Sequence, residues 1–182
     1  MNLLASPIAV ASVSFLLAAV TTMVLVPQVR RLGLRFGWTD QPDERKQHIT
    51  PMVRLGGIAM VLGFALALAT VWSMGGFGLL APAKDQLIWG TLAGSLCLFL
   101  IGLADDLFAL SPWPRLAGQV AVACAVWSQG VRIGAIDLPW FTASAGPIAL
   151  PDSLSLLATV VWLVGITNAI NWLDGLDGLA AG

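Results

Sequence analysis

The sequence predicts an all-α polytopic membrane protein of about five transmembrane helices, with its N-terminus outside the cytoplasm. Three observations predict it: composition, the placement of uncharged runs, and the sidedness of Lys and Arg. The chain has 182 residues, of which 58% are hydrophobic and 10% charged, where a soluble domain carries about a quarter charged. Its mean hydropathy is +0.86. The apolar excess excludes disorder, and a net charge of −1 argues against a nucleic-acid partner.

Charges divide the chain cleanly. Residues 1–29, 55–83, 86–104, 116–131 and 153–173 contain none. A helix needs roughly 20 apolar residues to cross a bilayer, so spans are expected near 6–28, 56–79, 87–104, 114–131 and 153–170. The first lacks the basic start of a signal peptide, and its apolar run exceeds the usual ~7–15 residues, so it is read as a true span. The fourth is the shortest; Ser111-Pro112 offers it a helix start, and Arg115 can snorkel. Between the fourth and fifth spans, residues 132–152 hold two short β-prone runs around a small-residue turn. That pattern predicts a small extracytoplasmic β-hairpin.

The loops expected at 30–54, 105–115 and 171–182 carry Arg30, Arg31, Arg35, Arg45, Lys46, Arg54 and Arg115, whereas the opposite side holds Lys84 and Arg132. Seven cations against two place these three loops in the cytoplasm. The same side gathers Asp40, Asp43, Glu44, Asp105, Asp106, Asp174 and Asp177. Acids collected with bases at one membrane face point to a polar site there.

The third loop is the most informative. Asn168, Asn171, Asp174 and Asp177 recur every three residues, so neighbours in the series share a helix face. Gly175 and Gly178 let the backbone leave the helix and approach a ligand. Amide and carboxylate oxygens beside them suit a hard cation such as Mg²⁺ and the diphosphate it carries. The bland readings are a helix–helix hydrogen bond for the two Asn and a solvated Asp-Gly turn. In the second loop, Asp105 and Asp106 directly follow a span. Acids at a helix C-terminus oppose the macrodipole, and adjacent carboxylates repel unless a cation lies between them. In the first loop, Arg45, Lys46 and His48 could hold phosphates or be a topology signal beside anionic lipids.

Cys97 and Cys124 sit in apolar runs without metal-ligand spacing and read as membrane-buried small hydrophobes. Gly90-x-x-x-Gly94 could mediate a homodimer; packing against another helix of the same chain is the preferred reading.

Together the loops resemble glycosyltransferase family 4, the polyprenyl-phosphate N-acetylhexosamine-1-phosphate transferases. The resemblance rests on Asp40…Pro42…Arg45-Lys46-x-His48…Pro51…Gly56-Gly57, on Gly102-Leu103-x-Asp105-Asp106…Leu110…Arg115-Leu116…Gln119, and on Asn168-Ala169-x-Asn171-x-x-Asp174-Gly175-Leu176-Asp177-Gly178-Leu179-Ala180. It implies transfer of a sugar-1-phosphate from a UDP-N-acetylhexosamine to a membrane polyprenyl phosphate, with release of UMP. The Arg-Lys-x-His form of the first loop is similar to the branch using UDP-N-acetylglucosamine for envelope polysaccharides. The alternative within the family is the phospho-N-acetylmuramoyl-pentapeptide transferase branch. Its second loop runs on to a lysine, where this chain has Leu107, Phe108, Ala109 and Leu110.

The resemblance further implies Mg²⁺, with Mn²⁺ as substitute, held by Asn171, Asp105 and Asp106. It places Asp105, Asp106, Asp174 and Asp177 as catalytic residues. Arg45, Lys46, His48, Asn168, Asp174 and Asp177 are then the substrate-binding ones. The expected location is the plasma membrane, with the site on the cytoplasmic face. Family chains are about twice as long, so the sequence ending at Gly182 is expected to be an N-terminal part, inactive alone. Two other classes fit less well. CDP-alcohol phosphatidyltransferases want an Arg after the Asp-Gly motif, where Leu179-Ala180-Ala181 stands. A carrier or channel wants charges in mid-span.

Overall fold

The protein is seen in a computed structural model, which describes residues 7–38, 55–73, 85–137 and 146–173. Within these described residues, five helices and one small sheet follow in order: α1 Pro7–Phe36, α2 Gly56–Ser73, α3 Asp85–Phe108, α4 Pro112–Ser128, β1 Ala135–Ile136, β2 Ile148–Ala149 and α5 Asp152–Leu173. The chain divides into two compact units, Met1–Pro82 and Ala83–Gly182. Each is described by itself.

Among the described residues, four helices are long and apolar enough to cross a membrane: Ile8–Phe36, Gly56–Ser73, Asp85–Phe108 and Asp152–Trp172. They leave large apolar side chains such as Phe15, Met23, Phe64 and Trp162 exposed, which water would penalise and lipid does not. These features bear out an all-α, multi-pass membrane protein. The expected span at 114–131 is a shorter helix. With 17 residues, α4 extends roughly 25 Å at 1.5 Å per residue, against a hydrocarbon core of about 30 Å.

In the first unit, α1 and α2 pack through a stripe of small residues. Ala59, Gly63 and Ala67 are buried on one face of α2, and their four-residue spacing keeps them in line. A side chain at Gly63 would strike Thr22 and come within 2.8 Å of the Ala18 carbonyl oxygen. Small residues in such a stripe let two backbones approach closely. Helix α1 accommodates Pro27 and runs past its expected end at residue 28 to Phe36. The segment 30–36, expected as loop, is therefore helical, and Arg35 lies in its last turn, where a cation complements the dipole.

In the second unit, α3 and α4 form an antiparallel hairpin. A Cβ at Gly90 would meet Gln129, one at Gly94 would meet Val126, and one at Gly118 would meet Ile101. Gly90-x-x-x-Gly94 thus receives α4 of the same chain, the reading preferred from sequence. On another face of α4, Gln119 and Trp127 bond to α5, with buried Ala123 midway between them. Helix α4 is the central element of this unit.

The expected hairpin forms: Ala135 pairs with Ala149 and Ile136 with Ile148, antiparallel. Thr159 Oγ1 on α5 accepts a hydrogen bond from the Ile133 backbone N–H at 3.0 Å and donates its own to the Ser155 carbonyl at 2.7 Å. Arg132 pairs with Asp152 at 3.0 Å and lies 5.5 Å from the Trp127 ring centroid. A groove of about 410 Å³ opens at this end, lined by Trp89, Ala93, Cys97 and Val122 among others. It is apolar and at the end of the α3–α4 hairpin remote from its acidic turn.

Candidate active site

The opposite end of the second unit is built around the α3–α4 turn. The loop expected at 105–115 is mostly helix. Asp105 and Asp106 lie in the last turns of α3, and only 109–111 separate Phe108 from Pro112. Ala109 closes α3 with φ +47, its N–H bonding back to the Asp105 carbonyl at 2.8 Å, the left-handed cap usually made by Gly. Ser111 and Pro112 start α4 as expected, although the Ser111 side chain makes no cap bond.

This tight turn sets Arg115 against Asp105. The Arg115 Nη1 donates to Asp105 Oδ2 at 2.6 Å, and the side chains are 21% and 20% exposed. Arg115 was expected to snorkel; the structure instead commits it to a carboxylate. Each partner is at the wrong end of its helix for the dipole, an acid at a C-terminus and a cation at an N-terminus. The pair therefore offsets two local costs that the helices themselves impose. Asp106 is exposed and makes an interaction of its own.

One turn along α4 from Arg115 lies Gln119, which is only 5% exposed. Its Oε1 accepts a hydrogen bond from Asn168 Nδ2 of α5 at 2.6 Å, and Asn168 Nδ2 also donates to the Val164 carbonyl at 2.8 Å. The helix–helix hydrogen bond weighed as the bland reading of Asn168 is thus present. It also places Asn168 within one helical turn of the Asp105–Arg115 pair, measured along α4. Because α4 and α5 run antiparallel, Asn171 lies one turn further toward that same end. It is helical and exposed, where the sequence placed it at the start of a loop.

Asp105, Asp106, Asn168 and Asn171 are therefore gathered at one end of the unit, together with Arg115 and Gln119. Sequence reading gave no role to Gln119, although a Gln inside an uncharged span is itself a signal for a helix-bridging polar group. Arg45, Lys46, His48, Asp174 and Asp177 lie outside the described residues. Among the described residues no three His, Cys, Asp or Glu side chains group closely enough to hold a metal ion. What they offer is two carboxylates and amide oxygens, with one oxygen of Asp105 already taken by Arg115. That is a donor set for an ion that completes its shell with substrate oxygens and water, as Mg²⁺ commonly does.

The segment containing this site matches a known family. The sequence model of glycosyl transferase family 4 covers residues 88–182, more than half of the chain, which belongs to that family. Among its relatives is a probable undecaprenyl-phosphate N-acetylglucosaminyl 1-phosphate transferase of Bacillus subtilis, 34% identical over 93% of this chain and 44% of the relative. A decaprenyl-phosphate N-acetylglucosaminephosphotransferase of Mycolicibacterium smegmatis is 36% identical over 92% of this chain and 40% of its own. A phospho-N-acetylmuramoyl-pentapeptide-transferase of Corynebacterium diphtheriae is 30% identical over 94% and 52%. The chain spans less than half the length of the first two. No solved structure matches it.

Proposed function

We propose that the full-length protein transfers N-acetylhexosamine-1-phosphate, specifically N-acetylglucosamine-1-phosphate, from its UDP-sugar to a polyprenyl phosphate, releasing UMP. The observation that carries this reading is the gathering of Asp105, Asp106, Asn168 and Asn171 at one end of the unit that contains α3, α4 and α5. That unit belongs to a family with relatives named for this transfer.

The chemistry is a substitution at the β-phosphorus. An acceptor phosphate oxygen forms the new P–O bond, the bond to the UMP oxygen breaks, and UMP departs with that electron pair. A phosphate monoester has a second pKa of ~6, so the acceptor is already largely dianionic at neutral pH and needs little help from a base. Asp105, Asp106 and Asn171 would hold Mg²⁺ at the diphosphate. When bound, the ion supplies charge neutralisation and a better leaving group. Asp174 and Asp177 complete the acidic set by their place in the motif, and Arg45, Lys46 and His48 steady phosphates as charge-assisted donors. Asn168 and Arg115 act within this chain, Asn168 presenting an oxygen to substrate and Arg115 fixing the carboxylate of Asp105. The site faces the cytoplasm of a plasma membrane, a placement supported by the seven-to-two excess of Lys and Arg on that side.

The test is UMP release by the full-length protein in detergent from UDP-N-acetylglucosamine and undecaprenyl phosphate. Release dependent on both substrates supports the reading. Release only with UDP-N-acetylmuramoyl-pentapeptide moves the protein to the other branch of the family, and no release with either donor overturns it.

A further inference from the structure

Gln119 is the most buried side chain at the polar end of the second unit among the described residues, and the transfer chemistry itself makes no use of it. The Val164 carbonyl can only accept, so the part of the Asn168 amide facing it at 2.8 Å must be the NH₂ group. The same nitrogen faces Gln119 at 2.6 Å, so Gln119 must present its oxygen there. Both Asn168 amide protons are then directed to acceptors within the protein. The Asn168 carbonyl oxygen remains as that side chain's group for a ligand, and it can receive only a cation or a hydrogen-bond donor. It cannot bind a phosphate oxygen directly.

We infer that Gln119 is a positioning residue: with the Val164 carbonyl it supplies the two acceptors that hold the Asn168 NH₂ group, so that the amide's carbonyl oxygen stays turned toward the sugar nucleotide or its accompanying cation. This rests on the transferase reading. Without Gln119 the Asn168 NH₂ group keeps one acceptor, the Val164 carbonyl, so the amide is held less firmly about Cβ–Cγ and its oxygen is less fixed toward a ligand. The same α4 face carries Arg115 one turn away, so one short helix sets both the Asp105 carboxylate and the Asn168 amide.

The test compares full-length wild type with Gln119→Leu, which keeps the approximate volume but loses the acceptor. A third protein, Gln119→Glu, keeps an oxygen acceptor in either protonation state. UDP-N-acetylglucosamine binding is titrated with Mg²⁺ and with EDTA, alongside UMP release and thermal stability in detergent. The expected result is at least about tenfold weaker binding in the Leu variant, a loss comparable to that of a ligand-orienting partner, with recovery to near wild type in the Glu variant. Weakening confined to the Mg²⁺ arm assigns the Asn168 oxygen to the cation; weakening in both arms assigns it to the sugar nucleotide. Wild-type affinity in the Leu variant, or equal loss in both variants tracking lost thermal stability, overturns the inference alone. A wild type that neither binds nor turns over the probe sinks the transferase reading, and this inference with it.

Discussion

Asp105 on the last turns of α3 accepts a 2.6 Å hydrogen bond from Arg115 on the first turn of α4, across a turn of three residues. The two side chains are about four-fifths buried, so water screens the pair less than it would an exposed one. A hydrogen bond to a charged group of this kind contributes about 1.5–3 kcal/mol. A double-mutant cycle of Asp105→Asn and Arg115→Met, read by thermal unfolding in detergent, should show coupling of about 1–3 kcal/mol. Additive losses would show that the contact does not couple the helices.

The α3–α4 seam predicts unequal tolerance at two glycines of one helix. At Gly94 an added Cβ would strike Val126, whereas at Gly102 nothing lies within 4 Å. Gly94→Leu should lower stability by about 1–3 kcal/mol or more through overpacking. Gly102→Ala should be neutral or stabilising by up to about 1 kcal/mol, because Ala favours helix over Gly. Unfolding midpoints of the two variants in the same detergent check the contrast.

Ala109 holds a left-handed conformation at φ +47, which costs a residue with a Cβ about 1–2 kcal/mol. Ala109→Gly should remove part of that strain and raise the unfolding midpoint. Ala109→Val, β-branched at the same φ, should lower it. The opposite ranking would mean that the α3–α4 turn adopts another backbone conformation in the membrane.

Removing divalent cations bears directly on the proposed chemistry. Only two described carboxylates stand at this end, one of them already paired with Arg115. An ion held there shares its shell with substrate, and it should be lost readily to chelator. EDTA is expected to abolish UMP release, and excess Mg²⁺ to restore it with Mn²⁺ as a substitute. Full release in EDTA contradicts the metal assignment.

Much of the architecture was legible because lipid imposes it. Uncharged runs about as long as a bilayer needs or longer, bounded by charged residues, located α1, α2, α3 and α5, and two short β-prone runs around a small-residue turn located the hairpin. Helix ends were less legible. Arg30, Arg31 and Arg35 ended the apolar run after Val29, yet α1 continues to Phe36, because a helix leaving the membrane need not stop where its charges begin. Asp105 and Asp106 suggested a loop for the same reason, and the turn that follows rests on Ala109, a residue with no turn signature. Asn168 and Asn171 stood out through their three-residue spacing. Gln119 entered only as a motif position without a role, since a polar residue's burial depends on which helix lies against it.

The central claim is that the Asp105 end of the second unit is the chemical end, although both ends carry an Arg–Asp pair. The most direct measurement is UMP release by full-length wild type, Asp105→Asn and Asp152→Asn, at equal folded concentrations with Mg²⁺. The account predicts a loss of about tenfold to a hundredfold or more for Asp105→Asn, as for groups that support a metal site, and near wild-type release for Asp152→Asn. Equal activity in the two variants, or a loss confined to Asp152→Asn, would contradict it.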